Sequence, residues 1–252
     1  MRSRWNAAVA NLRLSFGVIV GAGTFALLVT PASAKPECPE ALNQALRLIV
    51  VTVADAAAAP AIVETYERET SVTDWRPAGG LMTAVVGRKG MAWGAGFRDR
   101  AEPGEPLKQE GDLKSPMGIY ALGPTFGFEA STYSGHLKLQ KGRHVCVEEP
   151  RSRSYGRIVA SKVVETGFKY DEMANEPLYR RGVVVDYPAD AANKAGSCIF
   201  IHVWRKPGKG TAGCVALDEA DVARLQDWSS AAPAAIAILD PAAKQKFDGC
   251  LP

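Results

Sequence analysis

Short runs rich in Val, Ile, Thr and aromatic residues recur along this chain, at 46–53, 61–67, 82–87, 118–122, 157–164, 182–187 and 198–204, and clusters of Gly, Pro, Asp or Asn separate them. Runs of this length, without regular helical stretches between them, predict packed β-structure rather than a series of βαβ units. Two segments break the pattern. Residues 39–46 and 218–228 carry apolar or Ala residues at helical spacing, and in the second Asp218 is placed to cap while Val222, Leu225 and Trp228 recur every third residue. Residues 234–239 predict a closing strand, and residues 93–111, with four Gly and two Pro, a long surface loop near the cleft. The expectation is a mainly β fold with a few short helices.

Arg2, Arg4 and Arg13 precede a largely apolar run that ends in Pro31-Ala32-Ser33-Ala34. A charged start, an apolar middle and a small-x-small site predict a signal peptide over 1–34, an exported protein and no membrane span after cleavage. The remaining 35–252 suit a single domain with its core at about 46–240. Those three arginines carry the whole formal charge of +3, because residues 1–34 contain no Asp or Glu and the rest balances 27 basic against 27 acidic side chains. A formally neutral mature chain argues against nucleic acid or an anionic membrane as partner.

The chemistry concentrates in two stretches. His202 lies in Ser197-Cys198-Ile199-Phe200-Ile201-His202-Val203-Trp204, and Cys214 follows twelve residues later in Thr211-Ala212-Gly213-Cys214-Val215-Ala216-Leu217. In a strand, Cys198, Phe200, His202 and Trp204 share one face and Ile199, Ile201 and Val203 the other. Gly208, Gly210 and Gly213 allow the chain to return and lay Cys214 beside the imidazole. A thiol needs such a base to become a nucleophile near neutral pH, and backbone N–H groups around Gly213 and Cys214 are placed to hold an oxyanion.

A further stretch, Gly111-Asp112-Leu113-Lys114-Ser115-Pro116-Met117-Gly118-Ile119-Tyr120, read alone, is a hairpin entry. Taken in order with the His and Cys stretches, it resembles the L,D-transpeptidase (YkuD-type) catalytic domain, in which a Gly-Asp-x-x-Thr/Ser-Pro-x-Gly-x-Phe/Tyr stretch precedes both. The resemblance spans roughly residues 46–240. It implies a β-sandwich or barrel-like domain, with Cys214 as acylated nucleophile, His202 as base, Gly213 in the oxyanion turn, and the Val203 carbonyl orienting the imidazole. Thr211 occupies the family's Ser/Thr position, and Thr211, Tyr120 and Arg205 are candidate substrate contacts.

The implied activity is acyl transfer on peptidoglycan stem peptides in the periplasm or cell envelope. The bond to a terminal D-Ala is broken, a Cys thioester forms, and an acceptor amine takes the acyl group. Water or a wall protein as acceptor, and a non-catalytic wall-binding scaffold with a disulfide-locked Cys214, are the alternatives. Thiol acyl transfer needs no cofactor, and no Cys/His spacing suits a metal.

The chain departs from the better-known members at Ala212, where they have His, at Val203, where they have a small residue, and at Ala216, where they have Arg. Losing that Arg leaves carboxylate recognition to other cations, with Arg205, Lys206 and Lys209 of the His-to-Cys loop as candidates. His136 and His144 are expected in loop packing, and residues 148–155 in a solvated turn. If Cys214 stays free, Cys38, Cys146, Cys198 and Cys250 allow three pairings. Position along the chain favours Cys38–Cys250 and Cys146–Cys198, with buried free thiols at 146 and 198 as the other reading.

Overall fold

The computed structural model describes residues 37–252. The signal peptide expected over 1–34 lies outside the described residues. Eight strands follow one another around a closed ring: Arg47–Val53, Ala234–Leu239, Ser115–Gly127, Arg181–Val185, Phe200–Val203, Val215–Leu217, Met82–Val85 and Pro60–Glu67, which pairs again with Arg47–Val53. Closure removes the exposed edges that an open sheet of this length would present. Ala234–Leu239 is wholly apolar and buried at all six positions between two neighbours, whereas Pro60–Glu67, which closes the ring, alternates buried with more exposed residues. The barrel-like, mainly β class expected from the sequence is the one found.

Most expected elements appear, with shifted ends. The helix Glu219–Ser230 starts where the cap was expected, Asp218 accepting from the Ala220 N–H, and it buries Val222 and Leu225 with Trp228 packed against the same core. Each such buried side chain contributes about 1.5–3 kcal/mol. Gln226 is also buried on that face, and its Nε2 donates to the carbonyls of Phe126 and Gly182 at 2.8 Å, satisfying groups that would otherwise be orphaned. The first helix is shorter than expected, Glu40–Gln44.

Two expectations are corrected. The run at 157–164 is not one strand: only Ile158–Val159 pairs, and the chain then turns through the 3₁₀ helix Ser161–Val163. The 148–155 segment is not a solvated turn throughout, because Ser152 and Tyr155 are buried, the Tyr155 hydroxyl donating to Glu110 and the Ser152 hydroxyl to Glu165, each at 2.6 Å. Alternating Ser, Arg and Tyr let inward side chains find carboxylate partners while Arg151 and Arg153 stay in solvent. His136 and His144 do bond locally, to Thr125 and Glu129 and to the Gln140 N–H.

A second, small sheet covers one flank of the barrel, in the order Tyr170–Glu172, Val145–Val147, Ile158–Val159. Beneath it Phe126, Leu139, Cys146, Met173, Tyr179, Phe200 and Cys214 form an apolar cluster separate from the main core. Both favoured disulfides are present. Cys38–Cys250 joins segments 212 residues apart, and Cys146–Cys198 fastens the small sheet to the barrel across 52 residues. Chain-entropy arguments assign the shorter link roughly 4 kcal/mol.

Candidate active site

The site is built by two parallel neighbours. Phe200–Val203 pairs with Val215–Leu217, placing His202 opposite Ala216 and Val203 opposite Leu217. Because side chains alternate, Cys214, two residues before Ala216, shares a face with His202. Ile199, Ile201, Val203, Val215 and Leu217 point into the main core, whereas Phe200 and Cys214 join the cluster under the small sheet. The two-face reading of the His strand therefore holds. The strand begins only at Phe200, because Cys198 turns through a positive φ of 55°.

Cys214 is held from behind. The Thr211 hydroxyl donates to the Cys214 carbonyl at 2.6 Å and accepts from the Gly213 N–H at 3.0 Å. Ser115 of the upstream motif donates to the Gly213 carbonyl at 2.6 Å and accepts from the Gly87 N–H at 2.9 Å. Thr211 is itself tied to the neighbouring strand, its N–H to the Val86 carbonyl and its carbonyl to the Arg88 N–H, both at 2.9 Å. That approach is so close that a Cβ on Gly210 would lie 2.5 Å from the Arg88 Cα.

Three site expectations change as a result. The Thr211 hydroxyl is committed to the loop's own backbone and serves to shape it, although Thr211 does border the cavity. The Gly213 N–H is likewise occupied, while the Cys214 N–H makes no hydrogen bond among the described residues. Tyr120 is buried in the main core, its hydroxyl donating to the Met117 carbonyl and its ring edge-on to Tyr187 and Phe97, and it does not border the cavity. The motif ends in an aromatic because that residue fills the barrel.

His202 Nδ1 lies 2.8 Å from the Val203 carbonyl. A carbonyl only accepts, so Nδ1 carries the hydrogen and Nε2 is left as the acceptor a general base requires. Cys214 and His202 are 8 % and 6 % exposed. Burial pushes the thiol up to about 12, with the Phe200 N–H pulling it down and the Asp171 and Glu148 carboxylates pushing it further up. Burial also holds the imidazole below its ordinary value, against the opposing effects of the Val203 carbonyl and Glu176. The resting pair is thus a neutral thiol and a neutral imidazole, and the thiol donates to the Cys198 carbonyl at 3.5 Å.

Both residues open onto a cavity of about 330 Å³. Arg205 and Lys209 border it as expected, Lys206 does not, and no residue of the 93–111 loop reaches it. Arg88, Glu176 and Tyr179 also border it, and sequence reading missed all three. Arg88 is 126 residues from the thiol in sequence and arrives through the Thr211 pairing, a contact with no local signal. Arg88, Arg205 and Lys209 make no ion pair among the described residues.

The L,D-transpeptidase catalytic domain (YkuD) matches residues 49–238. No curated protein matches. Among solved structures, the helical cell shape determining protein Pgp2 from Campylobacter jejuni is similar at 16 % identity and a TM-score of 0.40, over 77 % of this chain and 48 % of that one. Its K307A mutant gives 17 % and 0.41, over 77 % and 47 %. Bd1075 from Bdellovibrio bacteriovorus gives 15 % and 0.37, over 78 % and 52 %. The chain spans about half the length of these solved proteins.

Proposed function

The chain belongs to the L,D-transpeptidase catalytic-domain family, and on that premise we propose that it is an exported cysteine acyltransferase of the cell envelope that cross-links peptidoglycan stem peptides. The observation that carries this reading is the placement of a free thiol and an imidazole with an unprotonated Nε2 on the same face of two neighbouring strands, opening onto one cavity. Two disulfides suit an oxidising compartment outside the cytoplasm.

In the reaction, the S–H bond of Cys214 turns from the Cys198 carbonyl toward His202. Nε2 takes the proton as sulfur attacks the donor carbonyl. The unoccupied Cys214 N–H receives the developing oxyanion. When the tetrahedral intermediate collapses, His202 returns the proton to the departing D-Ala amine and a thioester remains. An acceptor amine then loses its proton to His202, attacks the thioester and restores the thiol. Because the thiol starts protonated, proton transfer and attack are coupled within the bound complex. The cations Arg88, Arg205 and Lys209 take the donor's terminal carboxylate in place of the Arg that Ala216 displaces.

A scaffold with Cys214 locked in a disulfide loses its basis, since Cys214 is free and the other four cysteines are paired. The deciding experiment incubates purified protein with disaccharide-tetrapeptide and reads both the intact protein mass and the products. A thioester adduct with D-Ala release and a cross-linked dimer is expected. A tripeptide product without dimer would instead assign water as acceptor, and no adduct or product at all would defeat the enzymatic reading.

A further inference from the structure

Cys198 supplies the carbonyl that accepts the Cys214 thiol, and it does so from a left-handed conformation that non-glycine residues keep only where their surroundings impose it. Its disulfide partner Cys146 is fully buried in Val145–Val147, directly opposite Asp171 of Tyr170–Glu172. Burial raises the Asp171 carboxyl, and the Tyr179 hydroxyl beside it opposes that rise. The Tyr179 ring in turn stands edge-on to the His202 imidazole, with centroids 5.3 Å apart and planes at 70°, and is boxed in by Phe126 and Phe200 at 5.8 and 5.5 Å.

We propose that the Cys146–Cys198 disulfide, Asp171 and Tyr179 form one positioning unit that orients both members of the Cys214–His202 pair. One arm runs through the Cys198 carbonyl to the thiol, and the other through Asp171 and the phenol ring to the imidazole. The inference rests on the reading of that pair as nucleophile and base. The S–S bond and Asp171 make no contact with Cys214 or His202, while the Cys198 carbonyl and the Tyr179 ring each hold one member of the pair in place.

Such a unit answers a need of this site. The Val203 carbonyl fixes which nitrogen of His202 carries hydrogen, yet one bond at Nδ1 leaves the tilt of the ring to its packing. Tyr179 is the aromatic ring that stands against it. The sheet that carries Asp171 consists of strands of three, three and two residues, too short to hold a register unaided. The covalent link at Cys146, the residue facing Asp171, supplies the missing anchor.

The test follows alkylation of Cys214 by iodoacetamide, read by intact mass at pH 7 and pH 10, in the full chain, in Tyr179→Phe and in the Cys146→Ser/Cys198→Ser pair. At pH 7 each variant should react about tenfold more slowly, because base and thiol are no longer aligned. At pH 10, where hydroxide replaces the imidazole as base, rates should agree within about twofold. Adding Tyr179→Phe to the disulfide-free pair should slow the reaction no further, since the disulfide anchors the Asp171–Tyr179 arm as well as its own. Unchanged or faster alkylation at pH 7, equal losses at both pH values, or losses that multiply would each overturn the proposal. Tyr179→Phe removes a single hydroxyl and carries the test alone if the disulfide-free protein does not fold. No peptidoglycan substrate enters the assay, so missing turnover of tetrapeptides would defeat the functional reading without touching this one.

Discussion

The thiol of Cys214 hands its hydrogen to the carbonyl of Cys198, 3.5 Å away, and not to the imidazole of His202. Burial makes this arrangement stable, since a thiolate in that apolar cluster would have little to solvate it beyond the Phe200 N–H. Reactivity therefore has to be created by the substrate as it settles into the cavity.

Cys214→Ala should abolish covalent labelling by a carbapenem and leave the thermal midpoint nearly unchanged, since one sulfur is lost from an otherwise intact cluster. His202→Ala should keep the thiol but slow labelling by about 10²–10⁴-fold, the usual worth of a positioned base. Intact mass against time checks both. A Cys214→Ala protein that still gains the adduct would move the nucleophile elsewhere.

Glu148 gives the fold a pH dependence of its own. Burial, with Asp171 and Glu110 nearby, raises its carboxyl to about 7, so the folded state holds a proton that the unfolded chain has released. A raised carboxyl contributes stability that is fully present below its unfolded value near 4.5 and is lost as pH rises through about 7. Glu148→Gln should raise stability at pH 8 by about 1–2 kcal/mol, the full shift being discounted for partial solvent screening, and change little at pH 4. Urea midpoints at the two pH values decide. Equal effects at both would show that the carboxyl does not titrate as described.

Arg88 should matter for charged donors only. Arg88→Ala is expected to raise KM about tenfold for a tetrapeptide with a free terminal carboxylate, as befits one lost charge-assisted contact, and to leave KM for the amidated peptide unchanged. An equal rise for both peptides would make Arg88 a shaping residue of the loop.

The Cys38–Cys250 bridge offers a control for the bridge near the thiol. Cys38→Ser/Cys250→Ser should cost roughly 2–5 kcal/mol of stability while the labelling rate of the folded protein is preserved, because neither half-cystine borders the cavity. Calorimetry and labelling on one sample check the pair of outcomes. A slowed rate would tie the chain ends to the site.

Much of the site was legible because its signals are local. Period-two alternation put His202 on the face that Cys214 shares, Asp218 capped the helix it preceded, and 234–239 coincides with the strand Ala234–Leu239. The motif at Ser115 was legible in kind but not in role, since its hydroxyl braces the Cys214 loop from a strand on the far side of the ring. What escaped notice is what tertiary pairing decides. The strands of the small sheet are two or three residues long, below the length at which alternation can be read. Cys198 sits in an apolar run, and only its left-handed backbone, invisible in composition, keeps it out of the strand that begins at Phe200. Arg88 and Tyr179 reach the cavity from elements whose own sequence gives no sign of it.

The bridge between Cys38 and Cys250 has a mechanical consequence. Tension applied between residues on the outer sides of that pair runs through a covalent bond and bypasses the 212-residue span between them. Forced unfolding depends on how fast the pulled segment gives way, and here the pulled segment does not include the barrel. The ring of strands would keep its shape under a stretch that opens an unbridged domain.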